Sequence, residues 1–359
     1  MQTKNEIVEL HNSVYPIKKP IKDIKLFNYG LAILKSYLAF LVVISHQFSR
    51  KTTKNKIILK LTSGINYHVP CFFIMSFYFM CNNLLSLNLK KIVNRFIRLF
   101  TPYIGWPFII LVINKIYNKM LKKSLPDSFE ILKLQLMWGA PLVPQFWFQW
   151  DLIVTTLIFV IIIFAFRKHY LFILQLILIF SYHCQYTRNY FKKYLHLNQH
   201  NIYTIGRMFE MFPLGITGFI LGSYDIIKII HPIKFQAFAL SFLIKKFIED
   251  CKVFSGLGGF LYQGIKLNIR SMCIIFIFSL FPNETMTNKY LNKLIFLITK
   301  YSAGIFYLHL SIKKYLKDYN TNVKNGTFLG TIFNYIICYS ISSLGDIIFG
   351  KTHLKYLFC

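Results

Sequence analysis

Residues 147–166 read WFQWDLIVTTLIFVIIIFAF. After Asp151 the run is almost unbroken apolar sequence, with no polar face that would suit a soluble core. Its length matches the ~20 residues that a helix needs to cross a hydrocarbon layer of about 30 Å. Apolar and polar positions do not alternate along it, so a membrane β-strand does not fit. Trp147 and Trp150 suit the membrane–water interface, and Asp151, just inside it, requires a partner. A membrane-spanning helix is expected here, and much of the chain repeats the pattern.

Composition agrees. The 359 residues are 55% hydrophobic and only 15% charged, with mean hydropathy +0.46. A soluble domain carries about 25% charged residues. The formal net charge is +29. In a soluble protein that would suggest nucleic acid. Here the lysines cluster between apolar runs, where they meet anionic headgroups. No polar stretch is long enough for a nucleic-acid-binding domain, so membrane lipid is the expected partner and nucleic acid is not. The seven cysteines include no C-x-x-C pair. They support neither a disulfide framework nor structural zinc, and no metal is expected. Residues 1–26 are polar and basic, without the apolar core and cleavage site of a signal peptide. The first span is therefore expected to stay in the mature protein.

Ten apolar segments are read, at about 27–46, 66–84, 97–115, 147–166, 170–182, 203–223, 231–247, 268–281, 293–313 and 326–349. The expected fold is an all-α integral membrane protein with a bundle of about ten transmembrane helices. A polar basic segment (1–26) precedes a single membrane domain (27–349), and a short tail (350–359) follows. Lys18, Lys19, Lys22 and Lys25, just before the first span, favour a cytoplasmic N-terminus, whereas Arg50, Lys51, Lys54 and Lys56 just after it argue the other way. The first cluster is given precedence, and the N-terminus is expected in the cytoplasm.

Several polar residues mark span ends. Lys35 and His46 are eleven residues apart. Helical geometry separates them by about 16 Å and leaves them roughly 20° apart around the axis, on one face. That face lines a channel, or Lys35 snorkels to one surface while His46 meets the other. His68 and Pro70 open an aromatic span, INYHVPCFFIMSFYF, in which Pro suits the first helical turn. Arg95 and Arg98, at i,i+3 beside Lys90 and Lys91, suit a phosphate-bearing ligand or lipid headgroups equally well. Arg207 and Glu210 precede Gly215, Gly218 and Gly222, which permit close helix approach. The two charged residues read as a pair with or without chemistry. His309 lies in the apolar run YSAGIFYLHL.

These pieces in this order resemble the membrane-bound acyltransferase 3 family. The family's first-span marker is Arg, ten residues, then His, and Lys35-x10-His46 resembles it with Lys in place of Arg. HVPCFFIMSFYF is similar to the family's second span, which reads His-Val-Pro, an aromatic run, then Ser-Gly; Ser76 is kept and Phe77 replaces the Gly. RFIRLFTPYIGW resembles the Arg-rich entrance to the third span, and FWFQWDL the Trp-Phe-Leu segment of the fourth. FPLGITGFILG and SAGIFYLH complete the likeness, which runs from about 27 to 349.

The resemblance implies ten spans and transfer of an acyl group, commonly acetyl, from acyl-CoA to a hydroxyl of a cell-envelope carbohydrate. It also implies the cell's inner membrane. The donor, acyl-CoA and in the commonest case acetyl-CoA, is a substrate rather than a resident cofactor. The partners would be acyl-CoA and a carbohydrate or glycolipid acceptor. A neutral imidazole suits the base that takes the hydroxyl proton. His46 is the first candidate and His68 the second, with Lys35 stabilising charge or holding the donor. Arg95 and Arg98 are expected to bind the coenzyme's diphosphate, with Ser76, Trp147, Asp151, Arg207, Glu210 and His309 in support. Two other functions stay open. One is a transporter or flippase of an anionic or lipid-linked solute, and the other is an inactive member of the family.

Overall fold

The computed structural model describes residues 29–48, 67–120, 128–138, 146–181, 199–224, 259–279, 289–319 and 327–358, with scattered positions between 226 and 246. Among them there are helices and no strand. In chain order the helices are α1 (Tyr29–Gln47), α2 (His68–Leu85), α3 (Leu89–Met120), α4 (Ser128–Trp138) and α5 (Trp147–Ala165). Then come α6 (Tyr170–Ser181), α7 (Gln199–Ser223), α8 (Gly259–Ser279), α9 (Lys289–Lys300), α10 (Ser302–Tyr319) and α11 (Phe328–Phe349). A 3-10 turn at His353–Leu357 follows α11.

Among the described residues, five helices are long and apolar enough to cross a membrane: α1, α2, α3, α5 and α11. The apolar run expected as one span at 293–313 is instead α9 and α10, bent by 43° at Tyr301; counted as one broken span it makes six. The expected segment at 170–182 is the short helix α6. The runs at 203–223 and 268–281 are helical in α7 and α8, although neither meets the criterion for a span. Of the segment at 231–247 only scattered positions are described, among them a 3-10 turn at His231–Ile233, and the basic N-terminal segment lies outside the described residues. An all-α fold with several long apolar helices is consistent with an integral, multi-pass membrane protein. Large apolar side chains such as Phe108, Phe164, Leu329 and Ile347 face outward, where a bilayer would cover them.

α1 is the hub. α2, α8, α9, α10 and α11 all pack against it, so Leu34, Leu38, Ala39 and Val43 are buried on successive faces. The closest pair is α2 with α7. A Cβ added at Gly218 would lie 2.1 Å from the Ile74 carbonyl oxygen, and one at Gly222 would lie 2.7 Å from the Tyr78 oxygen. Only glycine lets these backbones meet, which is the packing expected of the small residues in FPLGITGFILG. α2 and α3 are joined by a tight turn in which Leu87 takes the left-handed conformation, with φ 46°. The turn sets Arg95 of α3 against α2.

The 3-10 turn folds back onto α3 and α11. Trp106 Nε1 donates to the Leu357 carbonyl at 2.7 Å, and the Phe358 ring stacks on Phe349, centroids 5.8 Å apart.

Candidate active site

Three histidines from three helices converge. His46 sits in the last turn of α1, and His68 opens α2. His309 lies seven residues into α10. The His46 and His309 rings are tilted 37° to one another with centroids 5.0 Å apart. His68 is within electrostatic reach of both. The environments differ: His46 is exposed, whereas His68 and His309 are buried.

His309 has a defined tautomer. Its Nδ1 lies 2.7 Å from the Phe306 carbonyl oxygen. A carbonyl only accepts, so Nδ1 carries the hydrogen and Nε2 carries a lone pair. That Nε2 is buried and has no hydrogen-bond partner among the described residues. The backbone around it is held from α11, where Asn334 Nδ2 donates to the His309 carbonyl at 3.0 Å. One turn further along α10, the Lys313 ammonium donates to the carbonyl of His46. This bond ties the end of α1 to α10 and places a positive charge beside the cluster. Among the described residues no group of three or more His, Cys, Asp or Glu side chains has the arrangement of a metal site.

An aromatic wall of Phe72, Phe148 and Phe306 joins α2, α5 and α10 next to the histidines. Behind it Gln149 is buried and doubly bonded. It donates to the Leu99 carbonyl at 2.9 Å and accepts from Tyr307 Oη at 3.1 Å.

Asp151 finds its partner on α7. Arg207 holds it through two bonds, Nε–Oδ2 at 2.8 Å and Nη2–Oδ1 at 3.1 Å. The guanidinium lies over the Trp147 ring at 5.0 Å. Glu210, one turn along α7, is half-buried and within electrostatic reach of Asp151. Trp147, Asp151 and Arg207 therefore form one structural clamp between α5 and α7.

No family model, curated protein or solved structure matches this chain. The resemblance drawn from its motifs therefore rests on the residues themselves.

Those residues fall into three groups. His46, His68 and His309 come together. Lys35 is half-buried on the same continuous helix as His46, about 16 Å along it, and so lies apart from the histidines. Arg95 and Arg98 have different surroundings. Arg95 turns inward, where Nη2 donates to Ser76 Oγ at 2.9 Å and Nε to Thr156 Oγ1 at 3.2 Å. Its guanidinium also lies over the Phe77 ring at 5.3 Å. Arg98 is exposed and lies over Tyr356 of the C-terminal turn. Ser76 and Phe77 together seat Arg95.

Gln149, Thr156, Tyr307, Lys313 and Asn334 were not among the expected site residues. A signal for three of them was present, since Gln149, Thr156 and Asn334 are polar side chains inside apolar runs. Nothing in the local sequence links Lys313 to His46.

Proposed function

We propose that this protein transfers an acyl group, acetyl in the commonest case, from acyl-CoA to a hydroxyl of a cell-envelope carbohydrate, in a bundle of about ten spans with a cytoplasmic N-terminus. The observation that carries the reading is the meeting of His46, His68 and His309, with His46 open to the outside and a cation beside it. A neutral imidazole that reaches the surface is suited to taking a hydroxyl proton. The motif order along the chain supports the same chemistry.

The chemistry assigned to these residues is direct transfer. A ring nitrogen of His46 takes the proton of the acceptor hydroxyl as its oxygen attacks the thioester carbonyl carbon. The C–S bond breaks, and the departing thiolate takes the proton from the imidazolium. The thioester is already activated, so no covalent enzyme intermediate is required. Lys35 and Arg98 are assigned to the extended donor. Arg95 is assigned to seating α3 against α2 and α5, which sets the position of Arg98.

The test is purified protein in proteoliposomes given labelled acetyl-CoA and a panel of envelope glycans, with release of free thiol and label on the glycan both measured. No protein-dependent thiol release with any acyl donor would remove the enzyme reading. The bend at Tyr301, where Lys300 pairs with Asp346 on α11, favours a second reading, since broken helices carrying charge occur in transporters. Uptake of a lipid-linked sugar or anionic solute without thiol release would support transport instead.

A further inference from the structure

We propose that His309 is a positioning residue for His46, forming with it a histidine dyad in which His309 Nε2 accepts a hydrogen bond from the inner N–H of His46. The inference rests on the acyl-transfer reading for its chemistry, and on three geometric facts for its structure. The Phe306 carbonyl fixes the His309 tautomer with the lone pair on Nε2. That lone pair is buried without a partner among the described residues. The His46 ring lies beside the His309 ring, at 5.0 Å between centroids, nearer than that of Phe306 at 6.0 Å.

A buried acceptor left unbonded is destabilising, because it has given up water without gaining a partner. His309 is only 1% exposed, so bulk water has little access to it, and the proposed bond from His46 supplies the missing partner. The consequence is directional. With one nitrogen of His46 committed as a donor to His309, the other must carry the lone pair and faces the exposed side. An unassisted imidazole divides its proton between two nitrogens. Here the outward nitrogen is held as the base. When it takes the hydroxyl proton, the resulting imidazolium donates inward to His309 Nε2, which shares the positive charge. The proton returns through the outward nitrogen to the departing thiolate, and both rings end as they began. Asn334 and the Lys313–His46 bond fix the two backbones between which this happens.

The experiment uses full-length protein labelled with ¹⁵N-histidine in detergent micelles, together with His309→Phe and His309→Gln. Phe fills the ring's volume without an acceptor. Gln can place an oxygen near the position of Nε2. His46 signals are assigned by their loss in His46→Gln. The expected result is a single predominant His46 tautomer in the wild type and in His309→Gln, and a mixture of both in His309→Phe. Transfer should fall roughly tenfold to a hundredfold in His309→Phe, no more than the lower end of the 10²–10⁴ that a positioned base contributes, and recover most of that loss in His309→Gln. A purely structural His309 would leave the His46 tautomer unchanged in His309→Phe, and that outcome overturns the dyad. Mixed tautomers in the wild type overturn it as well. A wild type with one His46 tautomer but no acyl transfer would sink the enzyme reading and leave the dyad in place.

Discussion

Replacing Arg207 by Met should loosen α7 from α5. The carboxylate of Asp151 is fully buried and the Arg207 side chain is 5% exposed. Removing one partner of a buried ion pair costs about 3–5 kcal/mol, because the survivor is left uncompensated. Protonation sets a ceiling on that cost. A carboxyl of ordinary pKa takes up a proton at pH 7 for about 4 kcal/mol, at 1.36 kcal/mol per unit. Loss of the contact with Trp147 adds about 1 kcal/mol. Arg207→Met is therefore expected to lose about 4–5 kcal/mol at pH 7. Combining it with Asp151→Leu should recover most of this, leaving a deficit of about 1–2 kcal/mol, because two apolar groups then replace two charges. The deficit of the single variant should also shrink toward pH 4, where neutralising Asp151 costs little. Reversible unfolding in mixed micelles, followed by tryptophan fluorescence, reads all three quantities. A single variant within 1 kcal/mol of the wild type, or a double variant no more stable than the single, would refute the clamp.

Gly218→Ala should destabilise the α2–α7 seam by about 1–3 kcal/mol, since its Cβ meets backbone, whereas Gly215→Ala, whose nearest neighbours are side-chain atoms at 3.2–3.3 Å, should cost less; the same unfolding assay ranks them. His46→Ala should abolish acyl transfer with folding intact, and Lys35→Arg should be tolerated while Lys35→Ala impairs donor use, as measured by transfer from labelled acetyl-CoA at matched expression. Arg95→Gln should lower stability by about 1–3 kcal/mol through loss of its bonds to Ser76 and Thr156. Arg98→Gln should lower stability by about 1 kcal/mol or less, through loss of its contact with Tyr356, and weaken acetyl-CoA binding about tenfold or more in a direct binding titration.

The spans with the most continuous apolar sequence were legible nearly to the residue. The runs at 27–46, 66–84, 147–166 and 326–349 became α1, α2, α5 and α11 with shifts of a residue or two, because apolar length is itself the physical requirement for crossing lipid. α3 was read as starting at 97 but begins at Leu89. Lys90, Lys91, Asn94 and Arg95 look like loop on hydropathy alone, although nothing in their geometry opposes a helix. The break at Tyr301 was hidden for the opposite reason, since its neighbours on either side are apolar enough to read as one run. Partners were the least legible. Arg207 and Glu210 looked like a local pair at i,i+3, yet Arg207 bonds Asp151, 56 residues away. Helical periodicity gives the face a residue occupies but not the helix that face meets. For the same reason His46 and His309 each read as separate span-end residues, and only the packing of α10 on α1 makes them neighbours.

The seam between α2 and α7 has a consequence for how the protein is made. Ile74 and Gly218, which meet there, are 144 positions apart in the chain. At about 5–20 residues per second, a ribosome needs roughly 7 to 30 s to travel between them. For that interval α2 is in the membrane without its closest partner, and the ridge that Gly218 and Gly222 will later accept is covered by lipid or by the insertion machinery. α1 and α2 can find one another early, but the bundle cannot close until α7 has been delivered. Assembly of this protein is therefore paced by translation.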